Sequence, residues 1–252
     1  MAVITGGASG IGKQIACDLL CAGLQVVCLD KDINTLNEFI CKAPKSFSKK
    51  LFGVECDVTK PASVDCDFKW TEENMCSVDI LVNCAGLYSS GQLVTHKVDS
   101  IEGILAVNVM GVINCTRRAF KSMQDRNFAG HIVNINSVYG HHSPVLPPGV
   151  LNPFNIYPAT KHAITAITES FRQEFSGLKT KVKITVSSSF EFYMDELLTD
   201  FWNVHLQSVS PSLVDTPMLP PEYKDFPKLN PEDISACVLS VYDCHQTACA
   251  SA

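Results

Sequence analysis

No long apolar run, no basic cluster and no Cys-x-x-Cys pair occurs in this sequence, and each absence closes off a class of protein. No uninterrupted apolar stretch reaches the roughly 18 residues that a membrane-crossing helix needs, so no membrane span is expected. The opening residues, Met-Ala-Val-Ile-Thr-Gly-Gly, have neither a basic start nor a long apolar centre, which argues against a secretory leader. With 20 Lys+Arg against 26 Asp+Glu the net charge is −6, and no basic run exists to grip a nucleic acid or an anionic membrane. Charged residues make up only 18% of the 252 and apolar ones 46%, a balance that fits one large α/β domain with a sizeable core. Twelve cysteines are present, but Cys17 and Cys21, one helical turn apart, are the nearest approach to a cluster. Without further Cys or His at ligand spacing no metal site is expected. Free thiols serving as small apolar residues suit a reducing cytoplasm, and a cytoplasmic location is the expectation.

What is present begins with a turn. The short apolar run Ala2–Thr5 leads into Thr-Gly-Gly-Ala-Ser-Gly-Ile-Gly at 5–12, followed by helical spacing of Ile11, Ile15, Ala16, Leu19 and Leu20. Gln25–Asp30 then reads as a buried strand ending on an acid. Strand, glycine turn, helix and strand make a βαβ unit, the setting in which such a turn binds a dinucleotide. Gly6, Gly10 and Gly12 let main chain approach a pyrophosphate, and Ser9 and Ile11 sit where the helix start offers free amides and a positive dipole end. Asp30 is placed to accept from both adenosine ribose hydroxyls and to repel a 2′-phosphate, which points to NAD, with the neighbouring Lys31 partly offsetting the repulsion of NADP. Asp57 and Val58, after a strand at Leu51–Cys56, are candidates to hold adenine. Further strands are expected at Asp79–Cys84, which runs into Asn83-Cys84-Ala85-Gly86, and at Ile132–Ile135, just before Asn136-Ser137. Strands alternating with helices predict a doubly wound, mainly parallel sheet with its ligand at the carboxyl ends of the strands.

Two further features concern protons. Tyr157 and Lys161, four residues apart on a predicted helix, lie on one face. A lysine ammonium beside a phenol favours the phenolate, so the expectation is a Tyr157 pKa drawn down from its usual value near ~10 towards working pH. Asn108 stands in an otherwise apolar helical face and needs partners; by itself it reads as a satisfied core amide.

Taken together, Thr-Gly-x-x-x-Gly-Ile-Gly at 5–12, Asn-x-Ala-Gly at 83–86, Asn108, Ser137 and Tyr157-x-x-x-Lys161 resemble the short-chain dehydrogenase/reductase family over almost the whole chain. The stretch from Gly130 to Phe175 is similar to one hydrophobic-substrate subgroup. The resemblance implies a catalytic tetrad of Asn108, Ser137, Tyr157 and Lys161. Tyr157 exchanges the proton with the substrate oxygen, Ser137 orients that oxygen, Lys161 holds the nicotinamide ribose, and Asn108 links Lys161 to solvent through a water. It also implies cofactor contacts from Asn83, Ala85 and Gly86, and from Pro211, Val214 and Thr216 in a loop under the nicotinamide. Cys84 stands where the family often has a second Asn. Small hydrophobic alcohols or carbonyl compounds are the implied substrates, isoprenoid alcohols and steroids among them; the contrasting reading is a cofactor binder whose chemistry is impaired.

The family pattern is broken in three places. The first strand has almost no lead-in before it. The segment 186–207, with Phe190, Tyr193 and Trp202, interrupts what would otherwise be one strand running into Ser208-Val209-Ser210-Pro211, and reads either as translated intron or as a substrate lid. The stretch 242–252 is a poor strand where the family closes its sheet, so six strands, an irregular tail and doubtful homo-oligomer assembly are expected.

Overall fold

The computed structural model describes residues 1–75, 77–143, 145–187, 214–219, 224–225 and 228–250. Its strands follow the apolar runs: β1 Ala2–Thr5, β2 Val26–Asp30, β3 Leu51–Glu55, β4 Ile80–Asn83, β5 His131–Ile135 and β6 Lys183–Ser187. All pair in parallel, in the order β3-β2-β1-β4-β5-β6. The expected six-stranded, doubly wound sheet is therefore present.

Alternation along each strand explains the layers, because successive side chains point to opposite faces. Ile4, Val26, Cys28, Val82 and Val133 face one side, where α1 (Gly10–Cys21) and α2 (Ile33–Lys42) cover them with Ile15, Leu19 and Leu36. Val3, Val27, Leu29, Leu81 and Ile132 face the other, where α3 (Pro61–Met75), α5 (Val112–Asp125) and α6 (Tyr157–Gly177) supply Phe68, Cys115, Met123 and Phe175. Burying each large side chain contributes roughly 1.5–3 kcal/mol, which is why continuous apolar strands rather than half-polar ones specify a sheet covered on both faces.

Two elements depart from the sequence reading. The helix from Val98 to Asp125 is continuous, but it is not uniform: α4 (Val98–Leu105) passes into a π-helical stretch, Ala106–Gly111, before α5. By length and composition alone this helix is long and apolar enough to cross a membrane, but Cys115, Ala119 and Met123 are spent on the sheet. The second departure is a correction. α7 runs from Pro231 to Ala250, so the backbone of 242–250 is helical where an irregular tail is expected. Pro231, Glu232 and Asp233 form its first turn, where a missing N–H costs nothing and acids meet the helix dipole. Its Val238 joins the cluster around α1, while Ile234 packs with Val214 and Ile11. Of the expected insertion 186–207, Val186 and Ser187 finish β6 and the remainder lies outside the described residues, as does Pro211.

Candidate active site

Two cavities open at the carboxyl ends of the strands and share a wall made of Ile11, Cys84, Gly86, Thr216 and Met218. The first is lined by Gly6, Ser9, Gly10, Ile11, Gly12, Asp30, Asp57, Val58, Ala85, Gly86 and Thr216, eleven of the residues expected to hold the cofactor. The second brings together Ser137, Tyr157, Lys161 and Val214.

The glycine turn is as tight as main chain permits. A Cβ at Gly12 would stand 2.3 Å from the Gly6 carbonyl oxygen, so no other residue fits there. The amino end of α1 therefore opens on the cavity, with Ser9, Ile11 and the Thr216 side chain beside it. Asp30 braces this turn: Oδ2 accepts from the Ala8 N–H (3.0 Å) and Oδ1 from the Asp32 N–H (3.0 Å). Asp57 is bound into its own turn by the Thr59 N–H and hydroxyl, and its Oδ2 lies 3.2 Å from Lys31 Nζ. The Thr59 hydroxyl bond, with help from Lys31, holds the Asp57 carboxyl down at about 2. Lys31 is thus paired with Asp57.

Asn83, expected among the cofactor contacts, ends β4. Its side chain lines neither cavity but is buried between α5 and β5, donating to Thr116 Oγ1 (3.0 Å) and Asn134 Oδ1 (2.8 Å). Asn108 lies outside both linings as well. In the π-helical stretch its Oδ1 accepts from the Leu87 N–H (2.7 Å), and its Nδ2 donates to the Leu87 carbonyl (2.9 Å) and to Thr160 Oγ1 (3.2 Å). The amide therefore fastens the loop after β4 to α6. A mid-helix amide obtains such partners because the widened turn re-aims it.

Ser137 follows β5 and begins a 3₁₀ turn, Val138–Gly140; Tyr157 starts α6, with Pro158 in its first turn. The Ser137 hydroxyl is hydrogen-bonded to the Tyr157 hydroxyl, and Ser137 Oγ accepts from the Tyr139 N–H (3.3 Å). Lys161 Nζ donates to the Ile135 carbonyl (3.0 Å) and stands 5.6 Å from the centre of the Tyr157 ring. The expected lowering of the Tyr157 pKa is also corrected. Burial pushes the phenol up to about 12 and outweighs the bond from Ser137, while Tyr139, Tyr88 and Cys84 push the same way. Burial equally lowers Lys161 to about 8. Cys84, at the shared wall, is pushed up to about 12 by burial and stays a neutral thiol.

Three aromatic residues in this cavity carry no motif. Tyr88 and Tyr139 meet the Tyr157 ring edge-on, at 5.5 and 6.5 Å between centroids, and Phe154 lies 4.7 Å from Tyr139. Tyr88 donates to the Pro153 carbonyl (3.2 Å), and Gly91 bridges to Phe154, so the loop after β4 is tied to the Pro-rich loop before α6. The position of Tyr88 and Tyr139 just past the ends of β4 and β5, and of Phe154 just before α6, is the one signal that marks them in the sequence. His141 and His142, in the Pro-rich loop, are exposed and line neither cavity.

Residues 1–200 match the family model described as short chain dehydrogenase. The chain is 37% identical to farnesol dehydrogenase of Aedes aegypti over 244 residues, 96% of this chain and 89% of that protein. It is 34% identical to dehydrogenase/reductase SDR family member 11 of Gallus gallus over 190 residues, 75% of this chain and 72% of the relative. Among solved structures, the fold matches a serine dehydrogenase complexed with NADP+ at a TM-score of 0.76 and 24% identity, covering 96% of this chain and 89% of that one. It matches a Burkholderia phymatum short chain dehydrogenase/reductase in complex with NAD at 0.76 and 23%, covering 96% and 85%.

Proposed function

The chain belongs to the short-chain dehydrogenase family and is an oxidoreductase of that family; from that premise we propose that it interconverts a hydrophobic secondary or allylic alcohol and its carbonyl compound in the cytoplasm. The observation that carries this reading is the convergence of Ser137, Tyr157 and Lys161 in a cavity sharing its wall with the glycine-turn cavity.

A nicotinamide cofactor bound there would supply the acceptor or donor of a hydride. Gly6, Ser9, Gly10, Ile11 and Gly12 would hold its pyrophosphate; Asp30, Asp57 and Val58 its adenosine; Ala85, Gly86, Lys161, Val214 and Thr216 the remainder. The cradle fits such a group, since a pyrophosphate needs bare main chain at a helix start and Gly12 admits nothing larger. NAD is preferred over NADP in this reading, because Asp30 sits at the β2 end and Lys31 is occupied by Asp57.

At neutral pH Tyr157 is protonated, so its Oη–H is the proton donor when a carbonyl is reduced. In the other direction Oη takes the proton from the alcohol. Ser137, bonded to that same hydroxyl, orients the reacting oxygen, and Lys161 contributes positive charge beside a phenol that would become phenolate. Ile11, Val138, Val214, Met218 and Leu219, with the aromatic residues, make the rest of the cavity apolar. That chemistry suits isoprenoid alcohols or flat polycyclic alcohols, and the Aedes aegypti relative carries the name farnesol dehydrogenase.

Thermal shifts with NAD and with NADP test the cofactor, because a ligand that prefers the folded state raises its stability. Reduction of NAD in the presence of farnesol, a 17-hydroxysteroid and cyclohexanol tests the substrate class. A protein that binds neither cofactor, or that turns over none of these alcohols and reduces none of their carbonyl partners, refutes the reading.

A further inference from the structure

The helix carrying Tyr157 and Lys161 makes one more polar contact a turn later. Tyr157, Lys161 and Thr165 recur every four residues on α6 and so share one face. Tyr157 is bonded to Ser137, and Lys161 donates to the Ile135 carbonyl at 3.0 Å. Thr165 Oγ1 donates to the Gly140 carbonyl at 2.9 Å and accepts from Asn136 Nδ2 at 2.9 Å. All the partners fall within six consecutive residues, 135–140, which are the end of β5 and the 3₁₀ turn. Three polar rungs thus register α6 against the segment that presents Ser137.

The order of the rungs matters. Lys161 fixes the strand end at Ile135, Thr165 fixes the far end of the turn at Gly140, and Ser137 lies between them. Asn136, 2% exposed, lies flat against Gly140, where a Cβ would come within 2.4 Å of its Nδ2. The turn has therefore no slack on that side. We propose that Thr165 and Asn136 are positioning residues, which hold the Ser137 hydroxyl on the Tyr157 hydroxyl by tying the Gly140 end of the turn to α6. Neither touches a reacting atom. The activity arm of the test rests on the oxidoreductase reading above; the structural arm does not.

Thr165→Val keeps the branched shape and removes the hydroxyl, while Thr165→Ser keeps the hydroxyl. Crystal structures of the wild type and both variants should show the Ser137–Tyr157 bond in the wild type and in Thr165→Ser. In Thr165→Val the oxygens should part beyond about 3.5 Å. With NAD and farnesol as the probes, kcat of Thr165→Val should fall about 10- to 100-fold, the scale of a misplacement near 1 Å. KM for NAD and the NAD thermal shift should stay at wild-type values, and Thr165→Ser should restore kcat. A purely structural role would lower stability but leave kcat per folded molecule unchanged. An intact Ser137–Tyr157 bond in Thr165→Val, or an unchanged kcat, overturns the proposal. Should Thr165→Val fail to fold by circular dichroism, Asn136→Ala, which removes the other half of the rung, is judged by the same two measurements. If the wild type turns over no alcohol, the proposed function falls while the crystal structures still decide the positioning role.

Discussion

Lys161 Nζ donates to the Ile135 carbonyl at 3.0 Å while standing 5.6 Å from the centre of the Tyr157 ring. The ammonium is moored to the end of β5, and the phenol beside it stays protonated because burial outweighs what Ser137 contributes. An acid kept neutral in an apolar site is suited to give its proton to a carbonyl oxygen.

Tyr157→Phe keeps the ring that meets Tyr88 and Tyr139 and removes only the hydroxyl. Turnover should fall by about 10²- to 10⁴-fold, the usual contribution of a positioned proton donor, with the NAD thermal shift retained. Steady-state rates within a few-fold of wild type would remove Tyr157 from the chemistry.

Lys161 gives a pH signature. Its folded-state pKa of about 8 lies below the ordinary 10.5, so between those values the unfolded chain binds the extra proton. Stability from this group therefore rises as pH climbs from about 8 to about 10.5, and below 8 it carries a constant penalty. Relative to Lys161→Met, the wild type should gain on the order of 3 kcal/mol across that window. Urea unfolding of both proteins at pH 7.5 and pH 10 measures the difference; parallel curves would contradict it.

Asn108→Ala leaves the Leu87 N–H and carbonyl without the partners they now have in the amide. Leu87 is itself exposed, so water can take over part of this pairing, and at about 0.5–1.5 kcal/mol for each bond a loss of about 1–3 kcal/mol in urea unfolding is expected. Because Leu87 lines the cofactor cavity, the NAD thermal shift should shrink as well.

Asp30→Asn removes the charge at the β2 end but keeps the size of the side chain. The NAD-to-NADP affinity ratio should move towards NADP by about tenfold or more, since two like charges near 4 Å repel by up to ~4 kcal/mol close to a surface. Calorimetric titration with both cofactors reads the ratio, and an unchanged value would count against Asp30 as the selecting residue.

The sheet, the glycine turn and the Ser137–Tyr157–Lys161 grouping are legible in the sequence because local pattern decides them. Apolar runs such as Val26–Leu29 make strands wherever they find neighbours, and a strand end determines where Ser137 sits. What was not legible depends on distant partners. Asn83 reads as a cavity residue because it ends β4, yet Thr116 and Asn134, 33 and 51 residues away, draw its amide inward. Asn108 needs Leu87 and Thr160 before its role can be seen. The direction of the Tyr157 shift was missed for a related reason: spacing places Lys161 on the right face, but burial, which sets the sign, is a property of the assembled site. The helix over 242–250 was missed because its residues are poor strand formers without a strong helical stripe.

The widened turn at Ala106–Gly111 has a consequence for how this chain can change. A π-helical stretch accommodates one residue more than a regular helix would, and each residue advances a helix by about 100°. Deleting a single residue there would restore an unbroken α-helix with its two halves still in phase, so Cys115, Ala119 and Met123 would keep facing the sheet. What would be lost is the widened turn that brings Asn108 onto Leu87 and Thr160. The same deletion in the regular turns of α5 would instead rotate its core stripe by about 100°.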